Sequence, residues 1–205
     1  MMLADMLGVQ LECKMVNLLK MEHKTPEYRK INPLEKVPVL QDGDFILPES
    51  HAILPYLVTQ YGGQHSETLY PGDARARAIV HQRMFFNAGV FFYKLGAVAV
   101  STLLGKITGP TQRHIDDIDS TYAVLEEYLQ HSLYLAADRL TIADLSVGAT
   151  ATASQILHKI DAKRYPRSAE WLARLEKEPV FQNINAPGVE YLSKLFTKSW
   201  ERNKA

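Results

Sequence analysis

The sequence has a single cysteine, Cys13, in 205 residues. That excludes an internal disulfide framework and a thiolate-built zinc site, and it fits a reducing compartment, so the cytosol is the expected location. Net charge is also missing, since Lys plus Arg and Asp plus Glu each number 23. With no field of one sign to hold nucleic acid or an anionic membrane surface, neither partner is expected. Uninterrupted apolar runs are absent as well. The most apolar window, 84–104, is broken by Asn87, Gly89, Lys94 and Gly96 and reads as a helix in a packed core rather than a membrane span. Met1 to Gln10 lacks the basic start and long apolar run of a secretory leader. The histidines are scattered, with no i, i+4 pair enclosing an acid, so no metal is expected. No Gly-x-Ser-x-Gly turn supports Ser-His-Asp hydrolysis.

A chain of this length can form one large domain or two compact ones. Residues 1–64 mix strand-like and helical patterns, whereas 73–205 read as helix throughout, so two domains are expected at those bounds with a polar, glycine- and proline-bearing linker between them. In the first part, Leu11, Cys13 and Met15 alternate with Glu12 and Lys14, the period of a half-buried strand. Val37-Pro38-Val39-Leu40 and Phe45-Ile46-Leu47 flank Asp42-Gly43-Asp44, a hairpin signal. Ile53, Leu54, Leu57, Val58 and Tyr61 recur at helical spacing, and Pro55 predicts an irregular first turn there. In the second part, Ile115, Ile118, Tyr122, Leu125 and Leu129 form an apolar stripe. Thr141-Ile142-Ala143-Asp144 has the spacing of a capping box and marks the best-specified helix start. Later helices carry Trp171, Leu172 and Leu175, then Leu192, Leu195 and Phe196.

Alone, Val-Pro-Val-Leu reads as an edge strand, Glu49-Ser50 as a helix cap and His23 as a solvated loop residue. Their order and spacing change that reading. Glu22-His23-Lys24-Thr25-Pro26-Glu27-Tyr28, Ile31-Asn32-Pro33, Lys36-Val37-Pro38-Val39-Leu40 and Glu49-Ser50-His51-Ala52-Ile53, followed by Leu69-Tyr70-Pro71 and the Thr141 to Asp144 box, resemble the insect delta and epsilon glutathione S-transferases along essentially the whole chain. The resemblance implies a thioredoxin-like domain at 1–64, an all-helical domain at 73–205, and glutathione as co-substrate. It also implies a cis bond at Val37–Pro38 that turns the Val37 main chain outward to pair with the tripeptide like an added strand. Glu49 would accept the γ-glutamyl ammonium, and Ser50 at a helix start would hold the γ-glutamyl carboxylate. His23 and Lys36 would face the glycyl end.

By the same resemblance, Met1 falls within the family's first helix and Leu11 begins its second strand. The activating serine's position precedes Met1, so no catalytic residue is assigned. The strand expected at 11–16 then lacks the neighbour that the family's first strand provides, leaving backbone groups unpaired or facing water. Glu35 stands where epsilon members commonly carry histidine, an acid near the anionic glycyl end, with Lys36 beside it to compensate. The hydrophobic co-substrate is expected at Phe92, Leu95, Leu195 and Phe196, although aromatic residues at helical spacing mostly pack. A homodimer is implied by the family. The expected activity is detoxifying conjugation of glutathione to hydrophobic electrophiles; the rival is a non-catalytic carrier that keeps the pocket.

Overall fold

The computed structural model describes residues 1–204. Its contacts divide the chain into two compact units, one of Met1 and Leu3–Ser66, the other of Met2 and Glu67 onward. In the first unit, helix α1 (Met2–Met6) is followed by a 3-10 turn at Glu22–Lys24 and helix α2 (Pro26–Ile31). Thr25 caps α2 by accepting from the Tyr28 N–H, with Pro26 at the first helical position, where its missing donor costs nothing. Strands β1 (Val39–Asp42) and β2 (Phe45–Pro48) pair antiparallel, Val39 opposite Pro48 and Asp42 opposite Phe45. The two-residue turn between them opens on Gly43 at φ 61°, a conformation glycine adopts freely. β1 starts at Val39, not Val37, because Pro38 has no N–H for the ladder.

Helix α3 (Ser50–Tyr61) follows β2 directly. Tyr56 donates to Asp42 Oδ2 at 2.7 Å and Tyr61 donates to the same oxygen, so α3 grips the hairpin at its turn, opposite the end where Val39 pairs with Pro48. Those bonds hold the Asp42 carboxyl below its ordinary range, and the same Asp42 bond pushes the Tyr56 phenol up to about 12. At the start of α3 the Glu49 carbonyl accepts from both Ala52 and Ile53 N–H, a sharing common at helix ends, and the helix runs unbroken through Pro55 to Tyr61.

Residues 11–16 correct the sequence expectation, because they form no strand and all but Val16 are exposed, Met15 to 92 %. The only sheet among the described residues is β1–β2. Alternating side chains favour a strand only where a neighbouring strand takes the backbone hydrogen bonds, and among the described residues no strand pairs with this segment.

The second unit contains α4 (whose Ser66–Leu69 span begins at the unit boundary), α5 (Ala74–Phe86), α6 (Phe92–Leu103), α7 (Gln112–Tyr128), α8 (Ile142–Ser154), α9 (Pro166–Leu175) and α10 (Ala186–Lys204). A π-helical turn, Asn87–Phe91, joins α5 to α6, so Ala74–Leu103 is long and apolar enough to cross a membrane by length and composition. Its polar members are nonetheless tied to neighbouring helices and loops of the same unit. Asn87 donates to Ser146, Arg83 to the Leu135 carbonyl, and Lys94 to Ser120 Oγ and the Asp117 carbonyl.

α8 is the buried axis of this unit, with α5, α6, α9 and α10 packed against it. Gly148 is required by that packing, since a Cβ there would meet Leu175 Cδ1 at 2.6 Å and Phe181 Cζ at 2.8 Å. At the head of α8, Asp144 is fully buried yet takes four hydrogen bonds. Oδ1 accepts from Leu135 N–H and Trp171 Nε1, and Oδ2 from the N–H and hydroxyl of Thr141. Burial pushes this carboxyl up and the four donors pull it back. Glu126, buried on α7, similarly serves a helix that lacks its own side-chain cap, accepting from the N–H groups of Arg167 and Ser168 and the Ser168 hydroxyl at the start of α9.

Two outcomes follow for stability. Asp144→Ala strands four donors in the core and should cost about 3–5 kcal/mol, more than Gly148→Ala at about 1–3 kcal/mol, read as urea midpoints. Although burial raises the Glu126 carboxyl, its donors prevail and hold it below its ordinary value. Its contribution is therefore complete above the unfolded pKa of ~4.3 and disappears as pH falls through the lower folded value. Glu126→Gln should be less stable than the parent at neutral pH by about 1–3 kcal/mol, and the difference should close in acid. Midpoints that stay equally separated from neutral to acidic pH would refute this role.

Candidate functional site

The sequence-predicted glutathione residues all lie in the first unit. The Val37–Pro38 bond is cis. Val37 is 42 % exposed, and neither its N–H nor its carbonyl bonds to another described residue. The residue before it is fixed twice: the Lys36 carbonyl accepts from Tyr28 Oη and from Asn32 Nδ2, each at 2.8 Å. Asn32 is 1 % exposed and its own Oδ1 accepts from the Leu34 N–H, so its amide spans both sides of the loop. α2 thus holds the chain as it enters β1.

Register brings the second half of the site beside the first. Because Val39 pairs with Pro48, Pro38 and Glu49 are the next residues outward on the two strands. Strands in such a ladder run about 5 Å apart, so the Val37–Pro38 edge and the head of α3 share one end of the hairpin. Glu49 sits there at φ 75°, in the region that disfavours a side chain, and its carboxylate does not cap α3. Ser50 Oγ is 3.3 Å from His51 Nδ1. Burial lowers the His51 pKa, opposed by the Glu49 carboxylate. The end of the hairpin therefore offers open main chain, an acceptor carboxylate, and a helix N-terminus with a hydroxyl, the three features an extended zwitterionic peptide would use.

His23 lies in the 3-10 turn with Nδ1 buried and without a hydrogen-bond partner among the described residues, and Lys36 is exposed. Sequence reading overlooked Tyr28 and Asn32 as supports of the loop. Their one signal was the Tyr28 to Pro33 string itself, which carries no chemistry until the loop closes on it. It also left Glu35 without partners, whereas the structure pairs it with Lys24 and Arg29.

The residues expected at the hydrophobic co-substrate lie in the second unit and separate by burial. Phe92 opens α6 at 57 % exposure and Leu195 on α10 is half-buried. Leu95 and Phe196 are core residues at 5 % and 0 %, Phe196 lying 5.5 Å from the Trp200 ring. Phe86 and Phe91 are buried as well, while Phe85 and Tyr93 are exposed. No cluster of His, Cys, Asp or Glu suited to a metal occurs among the described residues.

Residues 1–59 match the family profile of the glutathione S-transferase N-terminal domain, and residues 109–174 match that of the C-terminal domain. This chain belongs to the glutathione S-transferase family. It is 36 % identical over 174 residues to Glutathione S-transferase 1 of Manduca sexta, spanning 84 % of this chain and 79 % of that one. Its fold matches an epsilon-class glutathione S-transferase from the housefly, Musca domestica, with a TM-score of 0.91 and 35 % identity over 96 % of this chain and 90 % of the other. A glutathione transferase homologue from Drosophila mojavensis, solved with bound glutathione, matches with a TM-score of 0.89 and 36 % identity, covering 96 % and 89 % of the two chains. The glutathione S-transferase fold is therefore a thioredoxin-like first unit, here with a two-stranded sheet, and an all-helical second unit.

If the Tyr28 and Asn32 bonds fix this glutathione S-transferase's loop, Asn32→Ala should lower stability by about 1–3 kcal/mol, since it leaves the Leu34 N–H and Lys36 carbonyl short of partners. Tyr28→Phe, which leaves the Asn32 bond in place, should cost less. Urea midpoints check the order, and equal losses would contradict it.

Proposed function

We propose that this chain is a glutathione transferase that joins the sulfur of glutathione to hydrophobic electrophiles. Glutathione lies along the hairpin end: Val37 pairs with it through its main chain beside Pro38, Glu49 accepts the γ-glutamyl ammonium, and Ser50 at the head of α3 holds the γ-glutamyl carboxylate. His23 and Lys36 face the glycyl carboxylate. The single observation that carries this reading is the register that puts Pro38 next to Glu49, beyond a Val37 main chain with no internal partner. The buried, partnerless His23 Nδ1 supports it, because such an atom calls for a partner the chain does not supply.

Segment 1–64 serves as the glutathione domain and 73–205 as the domain that receives the electrophile. Phe92 and Leu195 have the surface to touch that co-substrate, with Leu95 and Phe196 shaping the wall from behind. The reaction needs thiolate, whereas a free thiol with a pKa of ~8.5 is mostly protonated at neutral pH. Conjugation therefore depends on a donor to sulfur, and binding does not. Detoxification in the cytosol as a homodimer completes the proposal, in keeping with the family and with the free, exposed Cys13.

Retention on immobilised glutathione, measured beside steady-state conjugation of an aromatic halide, tests it. Both should be seen; retention without turnover would favour a carrier, and no retention would refute the site. Glu49→Ala should weaken glutathione binding about tenfold or more, as loss of a charge-assisted partner does. Glu49→Gly should weaken it similarly without loss of thermal stability, because glycine relieves the positive φ.

A further inference from the structure

We infer that Glu35 is a positioning residue for the glycyl end of the glutathione site, holding Lys24 and Arg29 and, through Lys24, the turn that carries His23. The inference rests on the glutathione reading above, and it concerns an acid that simple charge logic would place there as a hindrance. Glu35 divides its carboxylate between two elements. Oε2 lies 2.7 Å from Lys24 Nζ, in the 3-10 turn that contains His23, and Oε1 lies 2.5 Å from Arg29 Nε, in the last turn of α2. The Arg29 Nη2 joins the same oxygen, making the contact a two-pronged one.

The backbone is constrained as strongly as the side chain. Glu35 has φ 54°, a conformation disfavoured for glutamate, and its N–H is bound to the Asn32 carbonyl at 2.9 Å. Its side chain is 14 % accessible, against 44 % for Lys24 and 66 % for Arg29. The acid is thus turned inward and both cations outward. Because Glu35 adjoins Lys36 in the chain and Lys24 adjoins His23, the ion pairs hold two cations next to the two residues proposed for the glycyl end. The Glu35 side chain also ties the His23–Lys24 turn to the last turn of α2.

Two effects of removing this charge have opposite signs. Glu35→Gln adds one positive unit to the cluster, and a long-range field would draw the anionic tripeptide more tightly. Loss of positioning would loosen it. The inference predicts loosening, confined to the glycyl end.

Calorimetric titration of the full chain with glutathione and with γ-glutamylcysteine, which lacks the glycyl residue, separates the cases. The parent should bind both. Glu35→Gln should bind glutathione about tenfold more weakly and γ-glutamylcysteine as the parent does. Glu35→Gly keeps the left-handed turn available without the ion pairs and should behave alike, with thermal unfolding showing that both variants are folded. Unchanged or tighter glutathione binding in either folded variant overturns the inference while leaving the site in place. Equal weakening for both ligands overturns it too, as a general loss of structure, and a parent that binds neither ligand overturns the glutathione reading with it.

Discussion

Val37 keeps its main chain open because everything around it is tied down. A segment with unpaired N–H and C=O groups ordinarily collapses onto whatever donors and acceptors lie nearby. Here the Lys36 carbonyl is already occupied by Tyr28 and Asn32, Pro38 has no donor to contribute, and β1 begins pairing only at Val39. The loop cannot satisfy Val37 by local rearrangement without giving up bonds already made. The α2 cap at Thr25 matters for the same reason, since α2 supplies Tyr28 and precedes Asn32 directly. On the other strand, the hairpin is locked to α3 through Asp42, which fixes where Glu49 and Ser50 emerge.

The second unit solves a different problem with the same economy of donors. Its central helix is buried along nearly its whole length, so the N–H groups at its start cannot be left to solvent. Asp144 handles that end and also fixes the Leu135 segment and Trp171 of α9. Glu126 repeats the device from α7 to α9. A carboxylate without such donors would be untenable at that depth, and with them it joins three stretches of chain at one point.

The helical unit was largely legible in the sequence because its signals are local. Ile118, Tyr122 and Leu125 are fully buried in α7 as their spacing requires, and Asp144 reaches back to Thr141 as the box predicts. The hairpin was legible from Gly43 and its flanking runs. Residues 11–16 were misread because alternation reports which face a side chain would take, not whether a partner strand exists. The site divided along the same line. Motif order pointed to Val37, Pro38, Glu49 and Ser50, but the supports of the Lys36 carbonyl and the partners of Glu35 arise only when the loop closes on α2. Burial was the hardest to foresee. Leu95 and Phe196 look like pocket residues in a sequence, and in the fold they are core, because helical spacing does not say which apolar face meets a neighbour.

The most direct measurement of the central claim is a crystal structure of this chain soaked with glutathione. The tripeptide should lie along the hairpin end, its cysteinyl backbone hydrogen-bonded to Val37 N–H and C=O, its γ-glutamyl group on Glu49 and Ser50, and its glycyl end toward His23 and Lys36. Glutathione bound anywhere that leaves the Val37 main chain unpaired would contradict the account.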